Sequence, residues 1–300
     1  MSATVKITTI CGVMSIPPVL EVGLVPIIPA IVVGIWMLCL FQLMLSFWSK
    51  NIKKVSGQKF FMDVELVFLK DPSRLGLKNP VLITGFPGAG LVGSIATTFL
   101  TMGNGFELIG YGKSEGFAPI AAIHEYRPLP PLRILASKQL NAVVLLSEMT
   151  IPVSLNSAIA ERIMELADRI KAGMVVSLGG ITLGEKEDVV YFIASTPSMA
   201  RLALSKKVGE PIKEGATTGV TGVLLYSSFI KEVDTIALLA EANPDLSDPK
   251  ASSNVLKALQ KLLGVEIDTR ALDKEAKEIA EALKEKIVKS KVPVKSSMYG

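Results

Sequence analysis

The chain has 300 residues, 49% of them hydrophobic and 20% charged, a length that suits one large domain or two ordinary ones. The formal net charge of +4 resides in residues 1–61, where five lysines face Glu21, so residues 62–300 are neutral and lack the surplus cations of a nucleic-acid binder. Cys11 and Cys39 both precede this main domain and His124 is the single histidine, which excludes from the domain a disulfide framework, a cysteine nucleophile and a thiolate or two-histidine metal site.

Residues 30–48 are nearly all apolar, with Gln42 and Ser46 as the exceptions. As a helix this run would span roughly 28 Å, about the hydrocarbon thickness of a bilayer. Lysines follow Trp48 directly, and basic residues there favour a cytoplasmic main domain. Two interpretations stay open: a single-span membrane anchor at 30–48, or a wrongly extended reading frame whose true start is Met62.

From residue 62 onward, apolar β-branched runs alternate with amphipathic stretches. The runs at 143–146 and 174–176 are apolar throughout, which is typical of strands covered on both faces. We therefore predict a three-layer α/β domain over 62–268, with a mostly parallel or mixed sheet. The predicted strands are 64–69, 81–84, 107–111, 134–136, 142–146, 174–178, 189–194 and 235–239.

Helices are predicted between these strands and at the end of the chain. Residues 157–172 carry one apolar stripe, and Gly173 is expected to end that helix. Two more helices are predicted at 222–231 and 253–263. A C-terminal helix at 269–289 has its own stripe, which either docks on the domain or packs between subunits, and its wet faces carry i, i+4 pairs such as Lys274 with Glu278. The stripe consists of Leu272, Ala276, Ile279, Leu283 and Ile287.

The glycine-rich segment 85–93 follows a predicted strand and opens a helix. Gly88, Gly90 and Gly93 match the G-x-G-x-x-G pattern, in which glycines let a pyrophosphate approach the backbone at a helix N-terminus. Pro87 interrupts the tight turn that this pattern needs. We favour a strand-to-helix turn, beginning at Gly85, whose small residues serve close packing, and keep a nucleotide-binding turn as the alternative.

Three other segments resemble functional motifs. Gly112-Lys113-Ser114 imitates the end of a phosphate-binding loop, and with Gly116 a nucleophile elbow, but the flanking residues fit neither. His124, with Glu125 and Arg127 nearby, is interpreted as a hydrogen-bonded corner in a rigid proline-rich loop, with an acid/base group as the alternative. The small-residue stretch 215–222 is interpreted as a packed turn, with backbone binding of an anion as the alternative.

Four of these segments, in this order and spacing, resemble the archaeal form of the proteasome-assembly-chaperone family: the turn 85–93, the run 124–134, Gly179-Gly180-Ile181, and the segment 217–225. The resemblance covers residues 62–289. It implies an α/β fold similar to that of purine nucleoside phosphorylases, homo-oligomers, no catalytic residues and no cofactor. Residues 1–61 have no counterpart in that family.

The chain ends in a segment, 290–300, that we expect to be an unstructured tail. Its last residues, Met298-Tyr299-Gly300, resemble the hydrophobic–tyrosine–any-residue terminus with which proteasome activators dock between outer-ring subunits. The sequence thus predicts a non-enzymatic protein that binds the α-ring of the proteasome core particle. The rival prediction is a nucleotide- or nucleoside-binding enzyme that uses the turn at Gly85–Gly93.

Overall fold

The computed structural model describes residues 63–184 and 188–278, and these residues contain one nine-stranded sheet and a separate two-stranded hairpin. The eight predicted strands are all present, and their ends lie within three residues of the predicted ones. Three short strands, at 122–124, 127–129 and 210–211, were not predicted. The strands are β1 Glu65–Phe68, β2 Val81–Gly85, β3 Glu107–Lys113, β4 Ala122–His124, β5 Arg127–Leu129, β6 Leu132–Ser137, β7 Ala142–Ser147, β8 Met174–Ile181, β9 Val190–Ala194, β10 Glu210–Pro211 and β11 Thr235–Glu241.

The large sheet is mixed, as predicted. Its order is β1-β3-β6-β7-β2-β8-β11-β9-β10, and the four central strands β7, β2, β8 and β11 are parallel. The strands β6, β3 and β1 extend one side through antiparallel pairings, while β9 runs antiparallel to β11 on the other side. Because the parallel strands are buried on both faces, their sequences are apolar without alternation.

Helices cover both faces of the sheet. They are α1 Val92–Met102, α2 Asn156–Arg169, α3 Pro197–Ser205, α4 Gly219–Ile230, α5 Pro249–Leu263 and α6, whose described part is 270–278. Ile83 of β2 joins one core with α1, α3 and α5, whereas its neighbour Leu82 joins the opposite core with α2 and α4. Successive strand residues point to opposite faces, so one apolar strand supplies both cores and the three-layer prediction is confirmed.

The end of one helix and the presence of another differ from prediction for local reasons. The helix α2 ends at Arg169, and Lys171 adopts the left-handed conformation at φ 52°, so Gly173 is not the residue that ends it. The amide of Ala172 then donates to the carbonyl of Ala167 at 2.8 Å, which satisfies an orphan carbonyl at the helix end. The helix α3 was not predicted, although Thr196 caps it by accepting from the amide of Met199.

The C-terminal helix begins as the sequence indicates. Leu272 is buried in the core that contains α5, so the described start of the apolar stripe docks on the domain. Lys274 and Glu278 lie 3.7 Å apart, the predicted i, i+4 pair. Within 63–184 and 188–278, no helix is long and apolar enough to cross a membrane. The candidate span 30–48, the alternative start Met62 and the tail 290–300 lie outside the described residues.

Candidate functional site

The turn 85–93 lies at the carboxyl ends of the central strands. The chain runs from β2 to β7 on one side and later from β7 to β8 on the other, so the order of the parallel strands reverses around β2. In open α/β sheets a crevice forms at such a point, and ligands bind there. A nucleotide site at the turn 85–93 would therefore have to use the space in front of β2 and β8.

Most glycines of this turn are required by packing. A Cβ on Gly85 would lie 2.2 Å from the carbonyl oxygen of Gly93, and one on Gly93 would lie 2.4 Å from that of Leu178 in β8. Gly90 has φ 62°, a left-handed conformation that glycine adopts without strain. Gly88 differs from the other three, since an added Cβ there would have no atom within 4 Å.

The crevice beside β2 is filled by the chain itself. A Cβ on Gly180 of β8 would lie 2.2 Å from the carbonyl oxygen of Ala89, so the turn packs directly on the end of that strand. The amide of Asp248 donates to the carbonyl of Gly90 at 2.8 Å, and its carboxylate caps α5 through the amide of Ala251. A carboxylate beside the turn repels a phosphate, so the geometry supports the packing interpretation of the turn.

The segments that resemble functional motifs lie in a strand, a turn and the start of a helix. Gly112 and Lys113 belong to β3, and Lys113 pairs with Glu65 at 3.1 Å instead of facing a phosphate. The Ser114 hydroxyl accepts from the amide of Gly116 in a turn that leads into no helix, unlike a nucleophile elbow. The segment 215–222 leads into α4, which begins at Gly219, earlier than predicted. Anion binding there stays a hypothesis.

His124 belongs to a cluster of hydrogen-bonded polar side chains that we call the anchor: His124, Arg133 and Glu148. His124 Nε2 lies 2.8 Å from Oε1 of Glu148, and Nη2 of Arg133 donates to the same oxygen at 2.8 Å. The Thr98 hydroxyl of α1 donates to it as well, at 3.3 Å. The predicted hydrogen-bonded corner is thus present, but its partners are Glu148 and Arg133, not the neighbours Glu125 and Arg127.

Within the anchor, the negative charge of Glu148 is compensated by the positive charge of Arg133. Burial raises the pKa of this carboxyl, but the hydrogen bond from His124 and the charge of Arg133 outweigh burial, so its pKa lies below the ordinary value. The Arg133 side chain is only 5% exposed and lies within the otherwise apolar run 132–136 of β6. A buried arginine needs a partner, and Glu148 supplies the compensating charge directly after β7.

The anchor holds a hairpin rather than the predicted loop. In this hairpin, β4 pairs with β5, and Glu125 and Tyr126 form the two-residue turn with φ of 48° and 65°. Positive φ at both positions defines a type I′ turn, which normally takes Asn-Gly, and each other residue there costs about 1–2 kcal/mol. Tyr126 is nevertheless fully exposed, so the fold derives no packing energy from its ring.

An apolar groove of about 430 Å³ runs along α1 beside the anchor. Leu91 and Met102 on its walls are 45% and 72% exposed, and Glu148 reaches it from the anchor. The volume falls within the roughly 300–1,000 Å³ of small-ligand sites. We call this feature the α1 groove, and its lining is Pro87, Leu91, Ser94, Ile95, Thr98, Phe99, Met102, Glu148, Thr150, Leu272 and Glu275.

Sequence reasoning found His124 but missed Arg133 and Glu148. The sequence did offer one indication: Arg133 is a charged residue inside the apolar run 132–136. A charge in a strand that is buried on both faces needs a partner. The predicted tail residues Met298, Tyr299 and Gly300 lie outside the described residues. Among the described residues, no group of three or more histidine, cysteine or acidic side chains is placed to hold a metal.

Known proteins are similar in sequence to most of this chain. The model of the PAC2 family matches residues 82–287. An uncharacterized protein of Methanocaldococcus jannaschii is 32% identical over 215 residues, which are 72% of this chain and 88% of the relative.

Solved structures from Pyrococcus furiosus share the fold. PbaA, described as an archaeal homolog of proteasome-assembly chaperone, superposes with a TM-score of 0.68 at 32% identity, covering 76% of this chain and 93% of PbaA. PbaB, described as an archaeal proteasome activator, gives a TM-score of 0.66 at 24% identity, covering 75% of this chain and 98% of PbaB. The likeness to PbaB concerns the fold alone.

Proposed function

Because this chain belongs to the PAC2 family, we propose that it is a non-enzymatic protein that binds the proteasome core particle, as an assembly chaperone, an activator or both. The observation that carries the proposal is the likeness to PbaA, a homolog of proteasome-assembly chaperone, over 76% of this chain at 32% identity. The filled crevice at the turn 85–93 also supports a binding role over nucleotide chemistry.

We further propose that the C-terminal tail docks on the α-ring. The terminal carboxylate of Gly300 is an anion that a lysine pocket captures, and Gly300 adds no bulk beside it. Tyr299 contributes a large apolar face with a hydroxyl, and Met298 adapts to an irregular apolar groove. Eleven residues at 290–300 reach at most roughly 35–40 Å.

A single tail of this kind binds weakly. A homo-oligomer that presents several tails raises the effective concentration of each after the first has bound, which strengthens binding without a new type of contact. The proposal therefore includes a homo-oligomer, and it needs neither a cofactor nor a metal.

The test is a pull-down of core particle by tail variants. Deletion of residues 298–300, or addition of one residue after Gly300, should abolish retention, because each displaces the terminal carboxylate. Tyr299→Ala should weaken binding at least about tenfold, whereas the matched control Tyr299→Phe keeps the ring and should retain most of it. Retention of core particle by the extended chain would contradict tail docking.

Calorimetry tests the rival enzyme function. Micromolar binding of a purine nucleotide or nucleoside that is lost in Gly90→Asp would favour a site at the turn 85–93 and count against the proposal. We expect no heat of binding.

A further inference from the structure

We draw no further inference here: the strongest candidate, the apolar α1 groove of about 430 Å³ beside the anchor, carries none, because nothing in the described part of the chain shows what covers it.

Discussion

Replacing Gly93 by alanine tests whether the turn 85–93 exists for packing. The new Cβ would lie 2.4 Å from the carbonyl oxygen of Leu178 and 2.7 Å from that of Phe86, whereas ordinary contact begins at 3.4 Å. Both neighbours are backbone atoms, so neither can rotate away. The first turn of α1 must therefore move off β8 by about 1 Å.

The cost of that movement follows from what α1 buries. Val92, Ala96 and Leu100 of α1 are at most 1% exposed and belong to the core that contains α5. Overpacking costs about 1–3 kcal/mol, and a gap of 0.5–1 Å forfeits roughly a quarter to a half of the contacts across it. We expect a loss of about 3 kcal/mol, which lowers the Tm by about 6–12 °C for a domain of this size.

The matched control is Gly88→Ala, five residues earlier in the same turn. No atom lies within 4 Å of the new Cβ and φ is −158°, so alanine is accommodated and stability should change by less than about 1 kcal/mol. Chemical and thermal denaturation of both variants measure the difference. A Gly93→Ala chain as stable as its parent, or equal losses at the two positions, would refute the packing argument.

Three further predictions address the anchor and the cap of α3. Arg133→Met should cost about 2–4 kcal/mol in urea denaturation, because Glu148 keeps its charge in a half-buried place, and adding Glu148→Gln should recover part of that loss. The lowered pKa of Glu148 stabilises the fold above its ordinary value of 4.5, so stability should fall more steeply below pH 4.5 in the parent than in Glu148→Gln; parallel pH profiles would contradict the assignment. Thr196→Ala should cost about 1 kcal/mol by removing the cap of α3, while Thr196→Ser keeps the hydroxyl and most of the stability in the same assay.

The architecture could be predicted from the sequence because the burial of apolar surface, which dominates folding, leaves its pattern within each strand and helix. The run Val143-Val144-Leu145-Leu146 has no polar face, and burial on both sides is the arrangement that uses all of its apolar surface. The stripe of α2 likewise determined a single buried face. Glycines at 85, 90 and 93 indicated close packing before the neighbouring atoms were known.

The anchor depends on pairing between distant parts of the chain, which no local sequence pattern encodes. Nine residues separate His124 from Arg133, and 24 separate it from Glu148, and they meet because β6 pairs with β7 while the hairpin folds back over their ends. The sequence placed His124 beside Glu125 and Arg127, since adjacent residues are the partners that a linear reading offers. The turn at Glu125 and Tyr126 reverses the chain there and leaves those neighbours outside the anchor.

By itself, the sequence determined the α/β class, the positions of the eight longest strands and the resemblance to a family, and it favoured a packing role for the small-residue turn. Only the tertiary structure decided which side chains share a surface: the anchor, the exposed Tyr126 and the groove beside it. The physical reason is that periodicity reports the burial of one element, whereas a site arises where several elements end together, and that juxtaposition is set by the whole sheet.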